Sequence, residues 1–376
     1  MSSLLILKFP LSSRFGGGEK HTLDLVSALK ERGYAVHLVS SCRVLVQEFR
    51  RRRWAAHRVW AGIEPVTAGA ILVFPFFVPF LLLFFIPLLL YYRIVRRVKV
   101  VYCLSLTEKV LVPLIARCLG MRVVFMEHRL IERWLTRNPL RVLYALQAKV
   151  ATTVTISRAV ADQLIHIGVP EKRLRIIPIG IDIRPFPWPR VHQDRHGAFI
   201  IGTVAGLEQG TGIAHLLKAM VELREHISSL RLLVVGNGPE RKNLMWLSSR
   251  LGLEQVVQWV GFQREAQRWY NHFDVFVLPS VKPESFGIVV IEAMAAGVPV
   301  IATKHGGVVE IIEDGKTGYL VPPRNAHEIA EKVLYLYYHR ERVAEFSQAG
   351  RRVVEERFRH DAMIRSFIKL FEDMLQ

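Results

Sequence analysis

Short apolar runs and longer amphipathic stretches alternate along this chain of 376 residues. Residues 4–7 read as a strand, and the loop that follows closes on Gly16-Gly17-Gly18-Glu19. Residues 20–32 read as a helix closed by Gly33, and 35–39 as the next strand. The rhythm resumes with a strand at 98–103, a helix near 108–119, a strand at 122–126, a helix around 140–149, and a strand at 152–155 followed by 157–167. A second series starts at 199–204, continues through a loop and helix within 207–223, and adds strands at 231–235, 258–261 and 275–278. Strand–helix–strand alternation of this kind predicts an α/β chain with two doubly wound parallel sheets. The expected domains are 1–184, a linker at 185–198 rich in proline, charge and histidine, 199–357, and a closing amphipathic helix within 358–376.

One region breaks the rhythm. Residues 65–92 carry no charge, and 70–90 are almost wholly aliphatic and aromatic. Arg43, Arg50, Arg51, Arg52, Arg53 and Arg58 precede the run, and Arg93, Arg96, Arg97 and Lys99 follow it. As helix the run is long enough for a bilayer core, but Pro75, Pro79 and Pro87 interrupt it. A single span would separate the first two strands from the rest of their sheet, and both flanks are basic, which keeps both on the cytoplasmic side. The expectation is an in-plane or re-entrant membrane element made of two broken helices, about residues 65–92. A buried helix pair of the first domain is the competing reading.

Charge and cysteine usage narrow the partners. The net charge is +18, with a pI near 10.1, so an anionic partner is expected. No zinc-finger spacing or aromatic-interleaved basic repeat points to nucleic acid. Cys42, Cys103 and Cys118 have no disulfide or metal spacing, which suits a reducing compartment.

The chemistry concentrates after the strand at 275–278, in Pro279-Ser-Val-Lys-Pro-Glu-Ser-Phe-Gly-Ile-Val-Val-Ile-Glu-Ala-Met-Ala-Ala-Gly-Val-Pro. A helix over 286–296 is expected, capped by Ser285 and ended by Gly297. Its N-terminus at Ser285, Phe286, Gly287 and Ile288 offers free N–H groups to a phosphate, and Gly287 lets an anion come close. Two carboxylates there, Glu284 and Glu292, suit hydroxyl partners such as those of sugar and ribose.

This Glu-x7-Glu arrangement resembles the signature of the retaining GT-B glycosyltransferases of family 4. The resemblance covers nearly the whole chain outside the apolar insert. It implies two Rossmann-like domains with an interdomain cleft, and a final helix that crosses back onto the first domain. It further implies that Glu284 contacts the donor sugar and Glu292 the nucleotide ribose. Phe15-Gly16-Gly17-Gly18-Glu19 looks like the family's first loop, so Gly17 and Gly18 would lie against donor phosphates and acceptor. His128 matches a histidine at the donor sugar and reacting centre; read without the family, it is a histidine in a loop. Phe262 and Gln263 match residues bordering the nucleobase. One departure stands out. Where the family carries an Arg and a Lys for the donor diphosphate, this chain has Gly206 and Thr211. Each such charge-assisted contact is worth about 1.5–3 kcal/mol. Arg14, Lys20, Lys282 and Lys304 are candidate substitutes that sequence does not place.

The resemblance, taken with the apolar insert and its basic flanks, leads to the expectation of a membrane-associated glycosyltransferase. It would use a nucleotide-diphosphate sugar, a lipid-linked or glycan acceptor and an anionic membrane surface, at the cytoplasmic face, peripheral or monotopic. No metal cofactor is expected, and the chain has no Asp-x-Asp. The alternative is a non-catalytic relative that serves as a membrane-bound binding or scaffold subunit.

Overall fold

The computed structural model describes residues 3–9, 16–59, 63–131, 133–188 and 197–375. The expected linker residues 189–196 and the first-loop residues 10–15, Arg14 among them, lie outside that set. The chain divides into two compact units, Met1–Pro178 with Ile364–Gln376, and Ile179–Met363. The first contains β1 (Ser3–Lys8), α1 (Gly17–Glu31), β2 (Ala35–Ser40), α2 (Arg43–Arg51), β3 (Ala55–Arg58), α3 (Ala68–Ile94) and β4 (Val100–Cys103). It continues with α4 (Leu106–Cys118), β5 (Arg122–Glu127), α5 (Arg133–Thr136), α6 (Arg141–Ala148), β6 (Thr152–Thr155), α7 (Arg158–His166) and β7 (Leu174–Ile176). The second contains β8 (Phe199–Val204), α8 (Ile213–Leu223), β9 (Leu230–Val235), α9 (Arg241–Arg250), β10 (Val257–Gly261) and β11 (Val275–Leu278). There follow α10 (Ile288–Ala295), β12 (Val300–Thr303), β13 (Tyr319–Val321), α11 (Ala326–Tyr338) and α12 (Arg340–Arg357); α13 (His360–Leu375) ends the chain.

Among the described residues, the first sheet has the order β3-β2-β1-β4-β5-β6-β7 and the second β10-β9-β8-β11-β12-β13. Every pairing is parallel. Both orders run outward from the first strand in one direction and then in the other. The reversal falls between β1 and β4, and between β8 and β11. Ligands of doubly wound sheets bind beyond the C-terminal strand ends at such a reversal, because the flanking loops diverge there. Residues of α8, β9, β11, β12 and α11, such as Leu216, Leu232, Val277, Ile301 and Val333, fill the second core.

The apolar insert departs from expectation. It is one continuous helix, α3, with Pro75, Pro79 and Pro87 inside it. All three prolines are exposed, so their missing N–H groups and displaced carbonyls fall away from the packed side and the helix survives them. Phe74, Leu81, Phe85, Leu89 and Tyr92 form the buried stripe, with Phe85 edge-on to Phe9 at 5.2 Å and Tyr92 against His37 at 5.4 Å. The opposite side is apolar too: Leu72, Phe76, Phe80 and Leu83 are 71–76% exposed. The helix joins β3 to β4, both strands of one sheet, so its ends cannot lie on opposite sides of a bilayer. The basic block before it, expected only as a flank, folds into α2 and β3.

Candidate active site

In the second unit, three loops leave the C-terminal ends of β8, β9 and β11 and pack backbone on backbone. Ala205 N donates to Val235 O and Leu207 N to Asn237 O, both at 3.1 Å, while Glu240 N donates to Leu207 O at 2.9 Å. Gly236 and Gly212 have positive φ, and a Cβ on them would fall 1.9 Å from Ala205 O and 1.7 Å from Pro279 O. Only glycine fits such an approach. Gly206 differs: it is exposed, its φ is not positive, and a Cβ there would meet nothing within 4 Å. Thr211 Oγ1 donates to Glu208 O at 2.9 Å. Gly236 N donates to Gly261 O at 2.9 Å, which ties the end of β10 to this edge and leaves the next residue, Phe262, 75% exposed.

The loop after β11 carries the first carboxylate. Ser280 Oγ donates to Glu284 Oε1 at 2.5 Å. Gly307 N donates to Glu284 O at 2.8 Å. Ser280 O in turn accepts from Thr303 Oγ1 at 2.7 Å and pairs with His305 Nε2 at 2.8 Å. A carbonyl only accepts, so His305 holds its proton on Nε2. The helix that follows starts later than expected. Its cap is Gly287, at φ 114°, without a side-chain hydrogen bond, so Ser285 is not the cap and Phe286 lies outside the helix. The left-handed turn at Gly287, packed 3.1 Å from Val308 Cγ2 at the position a Cβ would take, sets the helix start. Glu292 accordingly lies just past the first turn. Tyr270 OH donates to Glu292 Oε2 at 2.8 Å; burial, and then Glu292, hold the Tyr270 hydroxyl well above its usual range. The helix ends as expected, at Gly297 with φ +68°.

The first unit presents a different edge. α1 begins at Gly17, because the Glu19 carboxylate accepts from Gly16 N at 3.0 Å and closes the first turn. Gly17 and Gly18 are therefore helical rather than part of the loop. Glu19 also pairs with Lys8, the last residue of β1. Burial raises the Glu19 pKa, but the Lys8 contact and the N–H groups of Glu19 and Gly16 outweigh it and leave it lowered. His128 follows β5, its Nδ1 3.7 Å from where a Gly18 Cβ would be. Its Nε2 is 3.1 Å from His21 Nδ1, and His21 lies 5.2 Å from Phe367. Burial, followed by His21, Lys109 and Lys8, pushes the His128 pKa well below the usual range, so the ring is neutral at pH 7. Behind it Lys109 Nζ donates to Met126 O and Glu127 Oε1, both at 2.7 Å, and Tyr144 OH donates to Glu127 Oε1 at 2.7 Å.

Gly18 and His128 are thus neighbours in the first unit. Gly206, Thr211, Glu284 and Gly287 share the β8/β11 end of the second, with Glu292 on the adjoining helix. Sequence reasoning missed His21, Lys109, Tyr144, Tyr270 and Ser280. His21, three residues past Gly18 on the same helix, is the one with a local signal. Among the described residues, no group of three or more His, Cys, Asp or Glu is placed to hold a metal ion.

The family model for glycosyl transferases group 1 matches residues 187–353, and that for glycosyltransferase family 4 matches 15–184. The chain belongs to the group 1, family 4 glycosyltransferases. The amylovoran biosynthesis glycosyltransferase AmsK of Erwinia amylovora is 28% identical over 58% of this chain and 55% of its own. A GDP-mannose-dependent phosphatidylinositol monomannoside mannosyltransferase of Mycobacterium tuberculosis is 31% identical over 52% of this chain and 54% of its own. The chain spans about half the length of the curated relatives it matches. Anabaena HepE, solved in complex with UDP, superposes with a TM-score of 0.82 at 18% identity, over 99% of this chain and 100% of that one. The fold is GT-B.

Proposed function

We propose that this chain transfers a sugar from a nucleoside-diphosphate donor to a lipid-linked or glycan acceptor at the cytoplasmic face of an anionic membrane, with retention of configuration. The observation that carries the reading is the β8/β11 edge. Backbone loops crowded by glycine converge there, Glu284 lies on the last of them, and α10 starts from Gly287 three residues on. In this reading the N–H groups of Ile288 and Val289 meet the charge that grows on the departing diphosphate. Glu284 orients the sugar, Glu292 the ribose, and Phe262 borders the base. Gly17, Gly18 and neutral His128 serve the sugar and acceptor, and no metal is required. Support also comes from the relatives: AmsK is named for glycan biosynthesis, the mycobacterial enzyme for GDP-mannose and a phosphatidylinositol glycan, and HepE was solved with UDP.

The membrane part of the reading rests on α3. About 40 Å long at 1.5 Å per residue, it turns Leu72, Phe76, Phe80 and Leu83 outward. Arg96, whose Nε donates to Tyr91 OH at 3.1 Å, lies with Arg93 and Arg97 at its C-terminal end. An in-plane helix of this kind inserts its outer side chains among acyl chains while the arginines meet anionic headgroups. The competing reading, a non-catalytic binding subunit, draws on Gly206 and Thr211.

Release of nucleoside diphosphate from UDP-, GDP- and ADP-sugars, measured with anionic vesicles, tests both readings. Transfer with one donor, lowered about 10-fold or more in kcat/KM by Glu284→Gln and by Glu292→Gln, supports the enzyme. Nucleotide binding without turnover supports the subunit. Phe76→Asp with Phe80→Asp, which spares the buried stripe, is expected to release the protein from vesicles at unchanged Tm; undiminished vesicle binding rejects the membrane assignment.

A further inference from the structure

The β8/β11 edge is poor in positive charge for a site that receives a diphosphate. Loops 205–212 and 279–287 contain Glu208 and Glu284 but a single cation, Lys282. The structure fixes where that lysine lies. Val281 N and Lys282 N both donate to Gly210 O, at 2.7 and 3.1 Å, so the two loops are stapled at this point. A Cβ on Gly210 would fall 2.5, 2.6 and 3.0 Å from Cγ, Cδ and Cε of Lys282. The lysine stem therefore runs across Gly210, which has φ +95°, and reaches the residue next to Thr211. Pro283 restricts the Lys282 backbone to extended conformations. A stem held by packing loses less rotamer freedom when its ammonium binds. Among the described residues, no hydrogen bond or ion pair engages that ammonium.

Resting on the donor site proposed above, we propose that Lys282 binds the donor diphosphate, entering from the β11 loop in place of the cation missing at Thr211. The same charge then reaches the phosphates from the opposite loop. Gly210 is the residue that makes the substitution possible, because any side chain there occupies the path of the stem. Lys304, also exposed, is the natural control.

Titration of UDP, GDP, ADP and the matching nucleosides into wild type, Lys282→Met and Lys304→Met tests this. Methionine keeps the apolar stem and removes the charge. Lys282→Met is expected to weaken the preferred diphosphate about 10-fold or more, to flatten the salt dependence of its binding, and to leave nucleoside binding unchanged. Lys282→Arg should retain most of the affinity, and Thr211→Lys in the Lys282→Met background should restore it. If Lys282→Met lowers the Tm, Lys282→Gln and that rescue carry the decision. Diphosphate binding equal to wild type in a folded variant overturns the inference while the donor site stands, as does a loss seen in Lys304→Met instead. If wild type binds none of the three diphosphates, the donor site and this inference fall together.

Discussion

At the C-terminal edge of the first sheet, charge meets charge: Lys8 pairs with Glu19, and Lys109 with Glu127 under a Tyr144 hydroxyl. At the same edge of the second sheet, backbone meets backbone. Two carboxylates there receive neutral hydroxyls, Glu284 from Ser280 and Glu292 from Tyr270. The difference teaches what each edge is suited to. Paired and buried charges hold a loop, here the one bearing His128, and have little capacity left for a ligand. A hydroxyl donor orients a carboxylate without setting an opposite charge beside it.

The strongest way to break that contrast is at Lys109, whose side chain is 3% exposed and whose partner's is 6% exposed. Lys109→Met leaves the Glu127 charge buried against Tyr144 alone and is expected to cost about 3–5 kcal/mol in urea unfolding. Ser280→Ala, its counterpart at the second edge, removes one neutral donor and should cost only about 1 kcal/mol. Equal losses in the two variants erase the distinction.

Next in size is a pH effect confined to the first unit. Burial, ahead of every other cause, raises the Glu108 pKa to about 8 from 4.5; the N–H groups of Glu108 and Ser105 and the charge of Lys109 lower it, and Glu64 raises it further. Between those two values the folded chain holds a proton that the unfolded chain has released. Stability from this group is therefore full below the unfolded value and is lost as pH rises through the folded one. A loss on the order of 3 kcal/mol is expected between pH 5 and 8. Glu108→Gln, which keeps a capping-box residue at that position, should flatten the profile in urea titrations at the two pH values. A slope unchanged by the substitution assigns the effect elsewhere.

A smaller effect sharpens the contrast from the other side. Gly206 lies in open space without a positive φ, so Gly206→Arg is free of backbone strain. Combined with Thr211→Lys, it is expected to tighten nucleoside-diphosphate binding roughly 10-fold, or about 1.4 kcal/mol. Because Gly206 is exposed, much of the gain should disappear at high salt. Unchanged affinity at low salt means that the phosphates are already neutralised or lie elsewhere.

What the sequence determined alone was whatever repeats or closes locally. The strand–helix alternation predicts two parallel sheets, because most parallel crossovers carry a helix; β3, β7 and β13 are short strands that it did not reveal. The spacing of Glu284, Gly287 and Glu292 reads as a ligand-facing helix start, and Gly297 as its end, because caps act within a turn. Tertiary structure decided the rest. α3 and α10 are both apolar on nearly every side, yet α10 is buried, with Val290, Ile291, Ala293 and Met294 in the core, while α3 turns one apolar face outward. Periodicity cannot separate these two outcomes, since the number of neighbours that cover a helix depends on distant strands. Ser285 yielded the cap to Gly287 because Val308, far along the chain, packs against the left-handed turn there. His21 meets His128 across 107 residues, Lys109 meets Glu127 across 18, and the Lys282 stem crosses Gly210 from another strand's loop. Such contacts arise where separate strand ends converge at one sheet edge, and no local pattern encodes which side chains meet there.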